Sequence, residues 1–194
     1  MKKVVLVIIL SVCLLFSGCK YSKGTSDYNT YRKYMNKASS LVNIDHAEYS
    51  KELMPSLDTM GNFNKMYATF KHTGIIWQTN TVGLFLEYDK ADYDNQVKYI
   101  DENYVFFENN HNMQHVDIYA ETDGYIIKMV DREDYIYDLY GNILSPHEPE
   151  NFGVLIGTND SENKICYLYF CDPDLGILDD LDSYIQNNFY METT

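Results

Sequence analysis

The chain has 194 residues, with 15 Lys plus Arg against 29 Asp plus Glu and a formal net charge of −14. At 45 % hydrophobic and 23 % charged it has the composition of a folded protein, and its charge has the wrong sign for binding nucleic acid through a basic surface. Four Cys, four Pro and ten Gly exclude a disulfide-dense scaffold, a collagen-like repeat and a Pro-rich linker, while 19 Tyr is an unusual load.

Met1-Lys2-Lys3 is a short basic start, and Val4 to Phe16 (VVLVIILSVCLLF) is an apolar run broken only by Ser11. It has the length of a signal-peptide core and falls short of the ~20 residues that a spanning helix needs. Ser17-Gly18-Cys19-Lys20 follows at once. Small residues before a Cys in this place resemble the lipobox of bacterial lipoproteins. The resemblance is carried by Leu15, Phe16, Ser17, Gly18 and Cys19, with Phe16 standing where that family prefers Leu. It implies a diacylglyceryl group on Cys19 and cleavage between Gly18 and Cys19. It also implies a place on the outer, extracytoplasmic face of the cell membrane, with the membrane as partner through the lipid; two acyl chains anchor stably where one does not. The expected organisation is a signal peptide over 1–18, a lipidated Cys with a short tether over 19–27, and a single ectodomain over 28–194. Losing Lys2 and Lys3 moves the balance from −14 to −16. A domain so charged is expected to be repelled by anionic headgroups, to be held by its lipid alone, and to favour a neutral or cationic ligand.

Tyr28, Tyr31, Tyr34, Met35 and Ala38 form an apolar stripe at helical spacing, and a second helical piece is predicted from Asp45, ended by Pro55. Met66–Gln78 and Thr81–Tyr88 read as strands about a Thr79-Asn80 turn, and Ala91–Tyr104 as a helix with Tyr93, Val97, Ile100 and Tyr104 on one face. Val116–Ala120, Tyr125–Asp131 and Tyr135–Tyr140 read as short strands, and Ser145–Asn151 as a loop. Phe152–Gly157 and Lys164–Cys171 read as a hairpin about Thr158–Asn163, and Asp180–Phe189 as a last helix. Together they predict an α+β fold: an antiparallel sheet of hairpins with helices packed on one face, plus the N-terminal helix. GIIWQTN and GVLIGTN each open a strand, acidic loop and helix ending in Tyr-Ile-x-x-Asn-aromatic. Either a duplicated ββα unit or ordinary hairpin and helix-end grammar accounts for that likeness.

Candidate chemistry is sparse. Glu108, His111 and His115 have a metal-ligand spacing, but they lie in polar ENNHNMQH, which reads as a loop with solvated histidines. The acidic run from Asp172 to Asp182 fails the calcium-loop template, with Gly176 at position 5 and Ser183 at position 12. Asp179 or Asp180 as a helix cap is the simpler reading. Cys13 leaves with the leader, and Cys19 takes the lipid. Cys166 and Cys171 sit five apart in one strand, on opposite faces, so they should not bridge. No nucleophile elbow, phosphate loop, dinucleotide fingerprint or His-Glu-x-x-His motif occurs, so no catalytic residue and no cofactor is assigned. Tyr167 with Tyr169, and Tyr135 with Tyr137, each share one strand face, which suits either a core boundary or a surface for glycans or peptides.

Gly157–Leu175 (GTNDSENKICYLYFCDPDL) and Met54–Asp58 (MPSLD) resemble segments of small, uncharacterised secreted proteins of clostridia and their relatives. That resemblance implies a Gram-positive envelope and brings no catalytic residues with it. The expected protein is a membrane-anchored, non-catalytic binding or envelope-interaction module; the alternative is an extracellular hydrolase with a dispersed site.

Overall fold

Lys164–Cys171 (KICYLYFC) is apolar at nearly every position. In the computed structural model it is the central strand of an antiparallel sheet, buried on both faces. The structure describes residues 21–40, 51–74, 79–107, 119–131, 152–171 and 180–189. In chain order they form β1 (Tyr21–Thr25), α1 (Tyr28–Ser40), a 3-10 turn (Leu57–Thr59), β2 (Lys65–Thr73), β3 (Thr79–Glu87) and α2 (Lys90–Asn103). β4 (Val105–Phe106), β5 (Tyr119–Thr122), β6 (Tyr125–Asp131), β7 (Phe152–Asn159), β8 (Lys164–Cys171) and α3 (Leu181–Asn188) follow. The sheet runs β1-β2-β3-β8-β7-β6, and both β5 and β4 pair with the outer edge of β6.

The fold class is therefore α+β on an antiparallel sheet. The helices divide between its faces, whereas the sequence reading put them on one. Tyr31, Met35 and Ala38 of α1 and Tyr93 and Ile100 of α2 pack on the front face with Phe70, Leu84, Tyr167 and Tyr169. Leu181 and Ile185 of α3 pack on the back face with Leu155, Leu168 and Phe170. Periodicity identifies a helix's apolar stripe but not the side of the sheet that receives it.

This division bears on the two similar stretches. β3 and β8 lie side by side, with Leu84 opposite Tyr167. A local two-fold axis normal to the sheet thus relates hairpin β2–β3 to hairpin β7–β8. Such an axis would put α2 and α3 on one face; they lie on opposite faces, so the symmetry stops at the hairpins.

Two local expectations change and a third holds. Tyr21–Ser26, read as a tether, supplies β1, paired with β2 from Tyr21–His72 to Thr25–Ala68. Thr79 and Asn80 are not a turn but pair with Thr73 and His72; β2 ends before Gly74, whose φ of +92° suits glycine. Cys166 and Cys171 are not bridged and are buried on opposite faces, as their odd spacing required.

The front face accounts for much of the tyrosine. The irregular stretch Leu53–Met60 lies on it, and side chains tie its main chain down. Tyr31 donates to the Pro55 carbonyl (3.3 Å), Tyr88 to that of Met60 (2.8 Å) and Tyr104 to that of Leu53 (3.1 Å), while Leu57 N–H donates to Tyr28 (3.1 Å). Gln96, 4 % exposed, donates to the Thr59 carbonyl (2.8 Å) and to the Tyr167 hydroxyl (3.0 Å). A phenol fills the core with its ring and satisfies an orphan carbonyl with its tip, which aliphatic residues cannot do.

Candidate binding groove

Lysine and hydroxyl groups hold α3 on the back face. Asp180 caps it, accepting from Ser183 N–H at 2.9 Å. Lys71, almost fully buried, donates to the Asn187 carbonyl and to Asn188 Oδ1 (3.0 Å), and Thr81 donates to the Asn188 carbonyl (3.0 Å). Gln186 donates to Thr122 at 3.1 Å. The last turn of the helix is thus held between Lys71 and Thr81 on one side and Thr122 on the other.

No described helix covers the corner where β2 begins and β3 ends. There a groove of about 800 Å³ opens, lined by Lys65, Tyr67, Phe85, Glu87, Tyr125 and Lys164 among others, within the size range of small-ligand clefts. Register builds it. Tyr67 lies opposite Phe85, and Phe85 opposite Cys166, giving an aromatic row; one step outward, Lys65, Glu87 and Lys164 stand abreast on three neighbouring strands. Gly83 makes room for the row, since a Cβ there would lie 2.8 Å from the Phe85 ring.

Tyr67 and Phe85 are half-buried, and Tyr125 is 7 % exposed. Lys65 Nζ reaches both Glu87 oxygens at 3.1 Å, and Lys164 Nζ lies 2.5 Å from Glu162. With Asp123, the rim holds three carboxylates and two ammonium groups. Burial, with Cys166 and Glu162 nearby, pushes the Tyr125 phenol far above its ordinary value, so it acts only as a neutral hydrogen-bonding group. Cys166 is fully buried beneath the row, and burial holds its thiol protonated; a nucleophile needs the thiolate. The chemistry on offer is ring stacking bounded by fixed charge.

The residues singled out by sequence fall elsewhere. Tyr167 and Tyr169 do share a face, but it is the front one, where both are 0 % exposed. They are core, and they line no ligand surface. Gly18, Cys19, Glu108, His111, His115, Tyr135, Tyr137 and the acidic run 172–179 lie outside the described residues, as do the helix expected from Asp45 and the strand expected at Tyr135–Tyr140. Among the described residues no group of three His, Cys, Asp or Glu could hold a metal ion. Sequence reasoning missed Tyr67 and Phe85. The signal was present: every second residue of β2 (Lys65, Tyr67, Thr69, Lys71) and of β3 (Glu87, Phe85, Gly83, Thr81) is polar, small or aromatic, the mark of a face without an aliphatic covering.

No protein-family model matches the chain, and neither a curated protein nor a solved structure does.

Proposed function

We propose that the chain is a bacterial lipoprotein, anchored through Cys19 at the extracytoplasmic face of the cell membrane, whose α+β domain binds a neutral or cationic glycan or peptide without transforming it. The leader supports the anchor: basic start, short apolar core, and small residues before Cys19. The observation that carries the binding role is the half-buried pair Tyr67 and Phe85 beside an ion-paired, net acidic rim. Flat rings accept sugar faces or extended peptide side chains, and an acidic rim favours cations over anions.

The anchor is tested with Cys19→Ala, which should move the protein from the membrane fraction to the soluble one. A variant that stays in the membrane fraction contradicts lipid anchoring. The groove is tested by titrating the mature chain with cationic and neutral oligosaccharides and peptides. Tyr67→Ala and Phe85→Ala should each weaken binding about tenfold or more. Unchanged affinity in both removes the groove from the reading, and turnover of a bound ligand replaces it with the hydrolase.

A further inference from the structure

The domain's negative charge is unevenly spread. Residues 20–37 hold five basic side chains (Lys20, Lys23, Arg32, Lys33, Lys37) and one acidic one (Asp27), although the chain as a whole is strongly acidic. The fold brings Lys23 and Lys37 together at Tyr21, the first described residue after Cys19. β1 begins at Tyr21, two residues after Cys19, so no long linker separates the anchor from the sheet. The last turn of α1 lies over the same end: Lys37 Nζ is 4.9 Å from the centre of the Tyr21 ring, and Lys23 Nζ is 5.1 Å from it on the same strand. Lys33 precedes Lys37 by one helical turn on the same side of α1. Tyr21, Lys23, Lys33 and Lys37 are all exposed.

We propose that this β1–α1 edge, with Tyr21, Lys23, Lys33 and Lys37, is the surface by which the domain rests on an anionic lipid bilayer beside its own anchor. The inference rests on the lipoprotein reading for its location and on the charge distribution for its chemistry. Screening decides between the local and the total charge. At physiological salt, interactions fade within about 8 Å, so headgroups meeting the basic edge hardly sense carboxylates beyond that range. An exposed tyrosine among lysines suits the headgroup layer, where its ring is apolar and its hydroxyl wet. The acidity that seemed to forbid surface contact instead turns the rest of the domain outward. β2 then runs away from the bilayer for roughly 23 Å, at ~3.3 Å per residue, from His72 beside Tyr21 to Lys65 at the groove. The groove stands at the membrane-distal end.

Lysine footprinting reads this directly. The mature chain, residues 19–194, is coupled through the Cys19 thiol to a maleimide phospholipid; Cys166 and Cys171 are fully buried and do not compete. Acetylation rates are then compared on vesicles of phosphatidylcholine alone and of phosphatidylcholine with an equal part of phosphatidylglycerol. On the anionic vesicles Lys23, Lys33 and Lys37 should react about fivefold more slowly, with the protection lost in 0.5 M salt, while Lys65 and Lys90 keep their rates. Lys23→Glu together with Lys33→Glu should abolish the protection of Lys37. Equal rates on the two vesicles, or equal protection of Lys65 and Lys90, overturns the proposal. Because this anchor is chemical, that failure is distinct from a failure of lipidation, which the Cys19→Ala fractionation reports.

Discussion

The two faces of the sheet differ in how completely a second layer covers their aromatic side chains. On the front face Tyr31, Tyr88, Tyr104 and Tyr167 are buried or nearly so, their hydroxyls spent on main-chain carbonyls or on Gln96, beneath α1, α2 and the stretch Leu53–Met60. On the back face Tyr67 and Phe85 share one row at a corner that α3 does not cross. The same kind of ring is a structural peg where a second layer covers it and a contact surface where none does. Tyrosine content by itself therefore says nothing about function; what matters is which rings the layers leave in reach of solvent.

Truncation should separate the faces most sharply. Tyr31→Ala leaves a ring-sized cavity under α1 and should cost about 3–5 kcal/mol in denaturant unfolding, whereas Phe85→Ala, at a half-buried site, should cost about 1–2 kcal/mol. Equal losses would erase the contrast.

High pH attacks the front face next. Burial raises the phenols of Tyr31, Tyr88 and Tyr167, and pushes that of Tyr104 up to about 12. A phenol raised in the folded state stays protonated there after its unfolded counterpart has ionised. Its contribution is thus complete below about pH 10 and lost as pH rises toward the folded value. Across pH 10–12 Tyr104 alone should remove about 1.4 kcal/mol per pH unit. Absorbance at 295 nm should show exposed tyrosines ionising first and the buried set following with unfolding.

Lys71→Ala, which removes the ammonium contacts to Asn187 and Asn188, should cost about 2 kcal/mol and speed amide exchange in 181–189 while sparing 53–60. Tyr88→Phe and Tyr104→Phe each delete one hydroxyl bond and should cost about 1 kcal/mol, with faster exchange confined to 53–60. Reducing agent should leave the melting temperature unchanged, because neither Cys166 nor Cys171 is in a disulfide.

Most of the strands and helices were legible because each carries its own period. α1 and α2 showed their stripes, β6 its boundaries, and β8 its unbroken apolar run. What was not legible depends on partners distant in the chain. YSKGTS has the composition of a linker and becomes β1 only because β2 offers an edge. Tyr167 and Tyr67 look alike along their strands, and the layer above decides that one is core and the other a groove wall. Two short irregular segments serve as joints. Met54–Asp58 is what the front-face tyrosines tie down. In the β7–β8 turn Asn159 Oδ1 accepts from Ser161 and Glu162, while Asp160 accepts from Tyr93 of α2.

The central claim, that the back-face corner is where this domain meets its ligand, is tested most directly by mapping amide and aromatic chemical-shift changes as cationic and neutral glycan and peptide fragments are titrated into a chain of residues 19–194. The account predicts changes centred on Lys65, Tyr67, Phe85, Glu87 and Tyr125, with the front-face tyrosines unmoved. Changes centred elsewhere, or none with any fragment at millimolar concentration, would contradict it.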